Sequence, residues 1–124
     1  MQTTRILIVD DNAIFRGYIK EDLASEPDIE VIGEASNTQE AMRQVREFKP
    51  DVVLMDVKMP GTNGIDATRQ LKEELPNLKV IVLTIFDIEE YREAAMANGA
   101  SGYVIKKDLV EELLPAIRGT FSDG

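Results

Sequence analysis

The chain has 124 residues, with 14 Lys and Arg against 23 Asp and Glu, so its formal net charge at pH 7 is −9. This length is typical of one domain, and an acidic chain without a basic cluster argues against nucleic-acid binding by this domain. The chain contains no cysteine and no histidine. Disulfides, thiolate or imidazole metal ligands and a Ser-His-Asp triad are therefore excluded.

Five short apolar runs predict five β-strands, at residues 5–9, 30–34, 51–55, 79–83 and 101–105. The first, third and fourth runs are rich in Val, Ile and Leu and do not alternate with polar residues. That pattern is typical of central parallel strands that are covered on both faces. The second run contains Gly33, and we expect it at an edge of the sheet.

Amphipathic stretches between the runs predict five helices, at residues 12–25, 38–48, 64–75, 88–98 and 109–120. Asn37 precedes the second helix and Asp108 the fifth, each with a glutamate three residues later, which is the spacing of a capping box. Gly99 is expected to end the fourth helix in a left-handed conformation. Pro115 is expected to kink or shorten the fifth helix, because proline removes a backbone hydrogen bond.

Regular alternation of strands and helices predicts an α/β fold, with an open parallel sheet and helices on both faces. In such sheets ligands bind at the carboxyl ends of the strands. No apolar run approaches the length of a membrane span, and the first strand begins too early for a signal peptide. We therefore expect a cytoplasmic protein that does not contact the membrane.

Five polar residues follow or end the predicted strands: Asp10, Asp11, Asp56, Thr84 and Lys106. The fold would bring them to one edge of the sheet. Each residue alone has an ordinary explanation: an aspartate can cap the first helix, and a lysine is usually solvated. Together, three converging carboxylates would repel by on the order of 10 kcal/mol at an effective dielectric constant near 20. A lysine and a hard cation that accepts oxygen ligands, such as Mg²⁺, would offset this repulsion.

An acid cluster with a hydroxyl and a lysine is the composition of a phosphoryl site. The metal and the lysine neutralise phosphoryl oxygens, and the hydroxyl donates a hydrogen bond to one of them. After Asp56 the sequence "DVKMPGTNG" predicts a tight turn at Pro60 and Gly61, and Gly64 opens the next helix. Backbone groups of this loop can then line the site, and a carboxylate there can act as a nucleophile to form an aspartyl phosphate.

The segments "ILIVDDN", "KPDVVLMDVKMPGTNG", "VIVLT" and "GASGYVIKKD" resemble the receiver domain of bacterial two-component response regulators. They are most similar to the receivers of LuxR/NarL-type transcriptional regulators, and the resemblance covers about residues 4–121. It implies a flavodoxin-like, doubly wound five-stranded parallel sheet of order 2-1-3-4-5 with five helices. Residues 1–124 would be one receiver domain without an output domain.

The resemblance also implies a role for each site residue. Asp56 is expected to accept a phosphoryl group from a sensor histidine kinase, in a Mg²⁺-dependent reaction. Asp11 would bind Mg²⁺ directly, Asp10 mainly through water, and Lys58 through its backbone carbonyl, with Asp56 as a further ligand. Lys106 would pair with the phosphoryl group.

Two further pairs of residues concern the conformational switch and the lifetime of the phosphoryl group. Thr84 would hydrogen-bond the phosphoryl group, and Tyr103, at the switch-aromatic position, would turn inward. Lys58 and Phe86 lie two residues beyond Asp56 and Thr84, and we predict that they tune dephosphorylation. The surface of helix 4, strand 5 and helix 5 would then control transcription through a DNA-binding domain. In similar proteins helices 1 and 5 can pair, so one expectation is a homodimer on phosphorylation. The alternative is that most apolar residues of these helices pack on the sheet, and the sequence leaves the oligomeric state open.

Three alternatives remain open from the sequence. A pseudo-receiver would bind partners without being phosphorylated. A hydrolase that passes through an aspartyl phosphate would need a second aspartate where Lys58 stands, and a flavodoxin-like redox carrier would need a phosphate loop where "DDNAIF" stands. One departure from the family pattern is Lys107, which follows Lys106 where many members have a proline. A cis peptide bond between Lys106 and Lys107 is therefore unfavourable, because a cis bond before a residue other than proline costs several kcal/mol.

Overall fold

A computed structural model describes residues 3–59 and 61–120, so Pro60 of the predicted turn lies outside the described residues. Five strands form one parallel sheet: β1 Thr4–Val9, β2 Ile29–Ala35, β3 Val52–Met55, β4 Lys79–Thr84 and β5 Gly102–Ile105. Their order is β2-β1-β3-β4-β5, with β2 at one edge. The predicted flavodoxin-like order 2-1-3-4-5 is confirmed.

The described residues form five α-helices: α1 Ala13–Leu23, α2 Thr38–Phe48, α3 Gly64–Glu74, α4 Glu89–Ala97 and α5 Leu109–Gly119. The sequence did not predict two smaller features. Residues Lys58–Met59 pair with Thr62–Asn63 in a short antiparallel hairpin, and Lys106–Asp108 form one turn of 3₁₀-helix. In the hairpin turn Gly61 has a φ of 71°, a conformation that favours glycine.

The sheet is buried on both faces, which explains why its central strands lack alternation. In β1, Ile6 and Ile8 pack with α1 and α5, whereas Leu7 and Val9 pack with α2 and α3. A third apolar cluster joins α4 to β4 and β5 and includes Tyr103. The helices therefore cover both faces and leave the carboxyl ends of the strands open.

The helix ends confirm some of the local predictions and correct others. Asn12 caps α1, since its side chain accepts a hydrogen bond from the Phe15 amide, so the interpretation of Asp10 or Asp11 as that cap is wrong. Asn37 caps α2 as predicted, and Gly99 has a φ of 101° after α4. Asp108 makes no side-chain cap, because the chain enters α5 through the 3₁₀ turn.

Three further observations concern the proline in α5, the peptide bond after Lys106 and the length of the helices. The fifth helix continues past Pro115 to Gly119, so the proline does not shorten it. The bond between Lys106 and Lys107 is trans. Within the described ranges, no helix has the length and apolar character needed to cross a membrane.

Candidate functional site

The carboxyl edge of the sheet brings the predicted acidic residues together. Asp10 and Asp11 follow β1 directly, and Asp56 follows β3. Because Val9 and Met55 are register partners, the residues after them leave the sheet side by side. Each of the three aspartates places a carboxylate oxygen within 4.8 Å of the others. This set of oxygen ligands could hold a metal ion.

Lys106, immediately after β5, reaches into the acid cluster. Its Nζ lies 2.7 Å from Asp10 Oδ2 and 3.3 Å from Asp56 Oδ2, and its side chain is only 12% exposed. The same ammonium lies 4.3 Å from the centre of the Phe15 ring. One lysine thus partly neutralises two buried carboxylates that come from separate strands.

The two adjacent aspartates have different environments. Asp10 is buried, and Oδ1 accepts a hydrogen bond from the Asn12 amide at 2.9 Å while Oδ2 faces Lys106. Its backbone carbonyl accepts a hydrogen bond from Arg16, which also binds Glu34. Asp11 is exposed and lines an open depression with Lys58 and the hairpin. Asp10 is therefore held in place by protein groups, whereas Asp11 faces solvent.

Asp56 is 8% exposed, and its Oδ1 accepts a hydrogen bond from the Val57 amide at 2.8 Å. Burial and the nearby charge of Asp10 raise the pKa of Asp56 from 3.8 to about 6, against the opposing effect of Lys106. The start of α3 packs against the backbone of this residue. A Cβ atom on Gly64 would overlap the Asp56 carbonyl oxygen, so glycine is required there.

Thr84 and Tyr103 are connected through the backbone of Phe86. The buried Thr84 hydroxyl accepts a hydrogen bond from the Phe86 amide at 3.3 Å, and the Tyr103 hydroxyl donates to the Phe86 carbonyl at 2.6 Å. Tyr103 therefore already lies inward, with the Arg92 guanidinium 4.7 Å from its ring centre. Lys58 Nζ lies 5.5 Å from the centre of the Phe86 ring, so these two predicted residues do meet.

Sequence reasoning missed two residues that touch this cluster. Phe15 lies on the apolar face of α1, and periodicity alone indicates packing. Arg16 follows it in the first turns of the helix, and its contacts with the Asp10 carbonyl and Glu34 depend on how α1 lies beside β2. An arginine six residues after Asp10 gave no signal that the sequence alone could identify.

Comparison with known proteins finds one matching family model and several similar proteins. Residues 6–118 match the family model described as the response regulator receiver domain. The chain is 40% identical over 114 residues to the transcriptional regulatory protein DegU of Brevibacillus brevis, covering 92% of this chain and 48% of DegU. It is 42% identical over 118 residues to the oxygen regulatory protein NreC of Staphylococcus aureus, covering 94% and 54% of the two chains.

A solved structure shows the same fold. The two-component response regulator of the LuxR family from Aurantimonas sp. SI85-9A1 superposes with a TM-score of 0.91 at 36% identity, covering 95% of this chain and 84% of the other. The present chain spans about half the length of DegU and NreC.

Proposed function

The chain belongs to the response regulator receiver domain family, and we propose that it is a signalling switch in which Asp56 accepts a phosphoryl group from a sensor histidine kinase. The observation that carries the proposal is the buried contact of Lys106 with Asp10 and Asp56, next to the exposed Asp11. This arrangement offers a nucleophilic carboxylate and positive charge at the same point.

In the transfer, a carboxylate oxygen of Asp56 attacks the phosphorus of a phosphohistidine. A new O–P bond forms as the P–N bond breaks, and the departing imidazole nitrogen keeps the electron pair. Lys106 stabilises the negative charge of the phosphoryl oxygens. Because these 124 residues contain no histidine, the phosphohistidine donor lies outside them, and a small phosphodonor such as acetyl phosphate would serve as well.

The acid cluster fits Mg²⁺, since its ligands are oxygens only and its carboxylates converge within 4.8 Å. Asp11, Asp56 and the Lys58 backbone carbonyl would hold the ion directly, with Asp10 acting through water. Both oxygens of Asp10 already face protein donors, whereas Asp11 is exposed, which supports this division. When bound, the ion supplies positive charge to the phosphoryl oxygens.

The signal would pass through Thr84. A phosphoryl group adds a charge of about −2 beside Lys106, and the Thr84 hydroxyl would leave the Phe86 amide to donate to a phosphoryl oxygen. Phe86 also accepts from Tyr103, so the change reaches the surface of α4, β5 and α5. Tyr103 lies inward and donates to the Phe86 carbonyl, and phosphorylation would shift an equilibrium between existing conformations of this pair.

The output that we propose is control of transcription in the cytoplasm. DegU is a transcriptional regulatory protein about twice the length of this chain, and a DNA-binding segment would carry that activity. Pairing of two copies through α1 and α5 is part of the proposal. Ile14, Tyr18 and Val110 on these helices are 71%, 58% and 76% exposed, which supports it.

The test is incubation with acetyl phosphate and Mg²⁺, followed by intact-mass measurement. The wild-type chain should gain the mass of one phosphoryl group, and Asp56→Asn should gain none. Asp66→Asn, which changes an exposed carboxylate on α3, should behave like the wild type. An unmodified wild type would favour the pseudo-receiver alternative, and an equal gain in Asp56→Asn would show that another residue is the acceptor.

A further inference from the structure

The ammonium of Lys106 is enclosed on three sides. Asp10 Oδ2 lies at 2.7 Å, Asp56 Oδ2 at 3.3 Å and the centre of the Phe15 ring at 4.3 Å. An ammonium group has three N–H donors and no acceptor. Two carboxylates and one aromatic face therefore provide three partners for these donors, with the ring as the uncharged one.

The Phe15 ring is itself held in place. It packs against the apolar cluster between the sheet, α1 and α5, and it makes an edge contact with Tyr18 at 6.3 Å between ring centres. The Phe15 amide is bound by the Asn12 cap. Since α1 begins just after the two aspartates, the cap fixes the backbone from which the Phe15 ring extends relative to the acid cluster.

We propose that Phe15 is a positioning residue for Lys106, and that its ring face keeps the ammonium directed toward the carboxylates. A lysine side chain is flexible, and its ammonium is strongly hydrated. An aromatic face attracts the cation and takes the place of water on that side of the ammonium. Of the three partners of the ammonium, Asp56 changes when it accepts the phosphoryl group in the proposed function, whereas Asp10 and the Phe15 ring do not change.

The consequence for phosphorylation rests on the proposed function. With the ring present, the ammonium stays at the carboxyl edge of the sheet when the phosphoryl group arrives. Without it, the side chain would spend part of its time in solvent, and fewer encounters with the phosphodonor would succeed. Phe15→Leu keeps an apolar side chain but removes the aromatic face, whereas Phe15→Tyr keeps that face.

The first measurement is made on the metal-free, unphosphorylated protein. A nearby aromatic ring shifts the NMR signals of protons over its face to higher field. The ε-methylene protons of Lys106 should show this shift in wild type and in Phe15→Tyr, and lose it in Phe15→Leu. A shift that persists in Phe15→Leu would overturn the proposal, because the ring would then not be its source.

The second measurement is the initial rate of phosphorylation by acetyl phosphate with Mg²⁺. Phe15→Leu should be slower by about fivefold to tenfold, where tenfold corresponds to about 1.4 kcal/mol, and Phe15→Tyr should recover most of the rate. Phe48→Leu, at the end of α2, is the matched control and should leave the rate unchanged. Equal rates in wild type and Phe15→Leu, or equal losses in Phe15→Leu and Phe15→Tyr, would overturn the proposal.

The two measurements separate this inference from the proposed function. If wild type takes up no phosphoryl group, the proposed function fails, and the NMR comparison alone then decides the role of Phe15. Denaturation curves check that each variant is folded. If Phe15→Leu does not fold, Phe15→Met replaces it, because methionine is also apolar and has no aromatic face.

Discussion

Replacing Asp56 with asparagine should stabilise the metal-free protein at neutral pH. Asp56 is 8% exposed in the wild type, and its burial, together with the charge of Asp10, raises the pKa of Asp56 from 3.8 to about 6. Asparagine has nearly the same shape and cannot ionise. The variant therefore avoids the unfavourable energy of a buried charge beside a like charge.

The sign of the pH dependence follows from the direction of this shift. Between about pH 4 and pH 6 the folded protein binds a proton at Asp56 more readily than the unfolded chain does. The contribution of Asp56 to stability therefore falls as pH rises through this window, and the loss is complete above about pH 6. A pKa increase from 3.8 to about 6, at 1.36 kcal/mol per pKa unit, corresponds to about 3 kcal/mol.

The assay is urea denaturation of wild type and Asp56→Asn in EDTA, between pH 4 and pH 7.5. At pH 7.5 the variant should be more stable by about 2–3 kcal/mol, and the difference should shrink toward pH 4. Glu73→Gln, which alters an exposed side chain on α3, should show no such trend. Adding Mg²⁺ should stabilise wild type more than the variant. A wild type that is the more stable at pH 7.5, or a difference that does not vary with pH, would refute the reasoning.

Three further predictions concern neighbouring residues. Asp11→Ala removes a direct ligand and should weaken Mg²⁺ binding in calorimetry by at least the roughly tenfold that loss of a residue supporting a metal ligand costs. Folding should stay intact because the side chain is exposed, and unchanged affinity would exclude Asp11 as a ligand. Phe86→Ala should shorten the lifetime of the phosphoryl group on Asp56, measured by intact mass, because the bulky ring beside Lys58 would shield that group from water. An equal or longer lifetime would contradict this prediction. Tyr103→Phe removes a hydrogen bond of 2.6 Å and should lower the free energy of unfolding by about 1 kcal/mol; no change in denaturation would mean that this bond contributes nothing net.

The order of the elements and the composition of the site could be predicted from the sequence. Each strand that is buried on both faces appears as an uninterrupted apolar run, as in "ILIV" before Asp10, and that signal is local. Parallel strands joined by helices all end at the same edge of the sheet. Asp10, Asp56 and Lys106 could therefore be assigned to one site although they are far apart in the chain.

The strand order itself came from the family resemblance, because alternation of strands and helices does not specify which strands are neighbours. Short features were missed for a different reason. The hairpin at Lys58–Met59 and the turn at Lys106–Asp108 are too brief to produce a periodic pattern. Asn12 caps α1, although the adjacent aspartates also have high capping propensity.

What the sequence determined was which residue types reach the carboxyl edge, since this follows from hydrophobic periodicity and chain order. What only the tertiary structure decided was how those side chains pair. Asp10 and Asp11 are neighbours in the chain, yet one is buried against Lys106 and the other faces solvent. The contact of Phe15 with Lys106 joins residues on different elements. Such contacts depend on how helices pack on the sheet and on side-chain rotamers, and neither leaves a pattern in the local sequence.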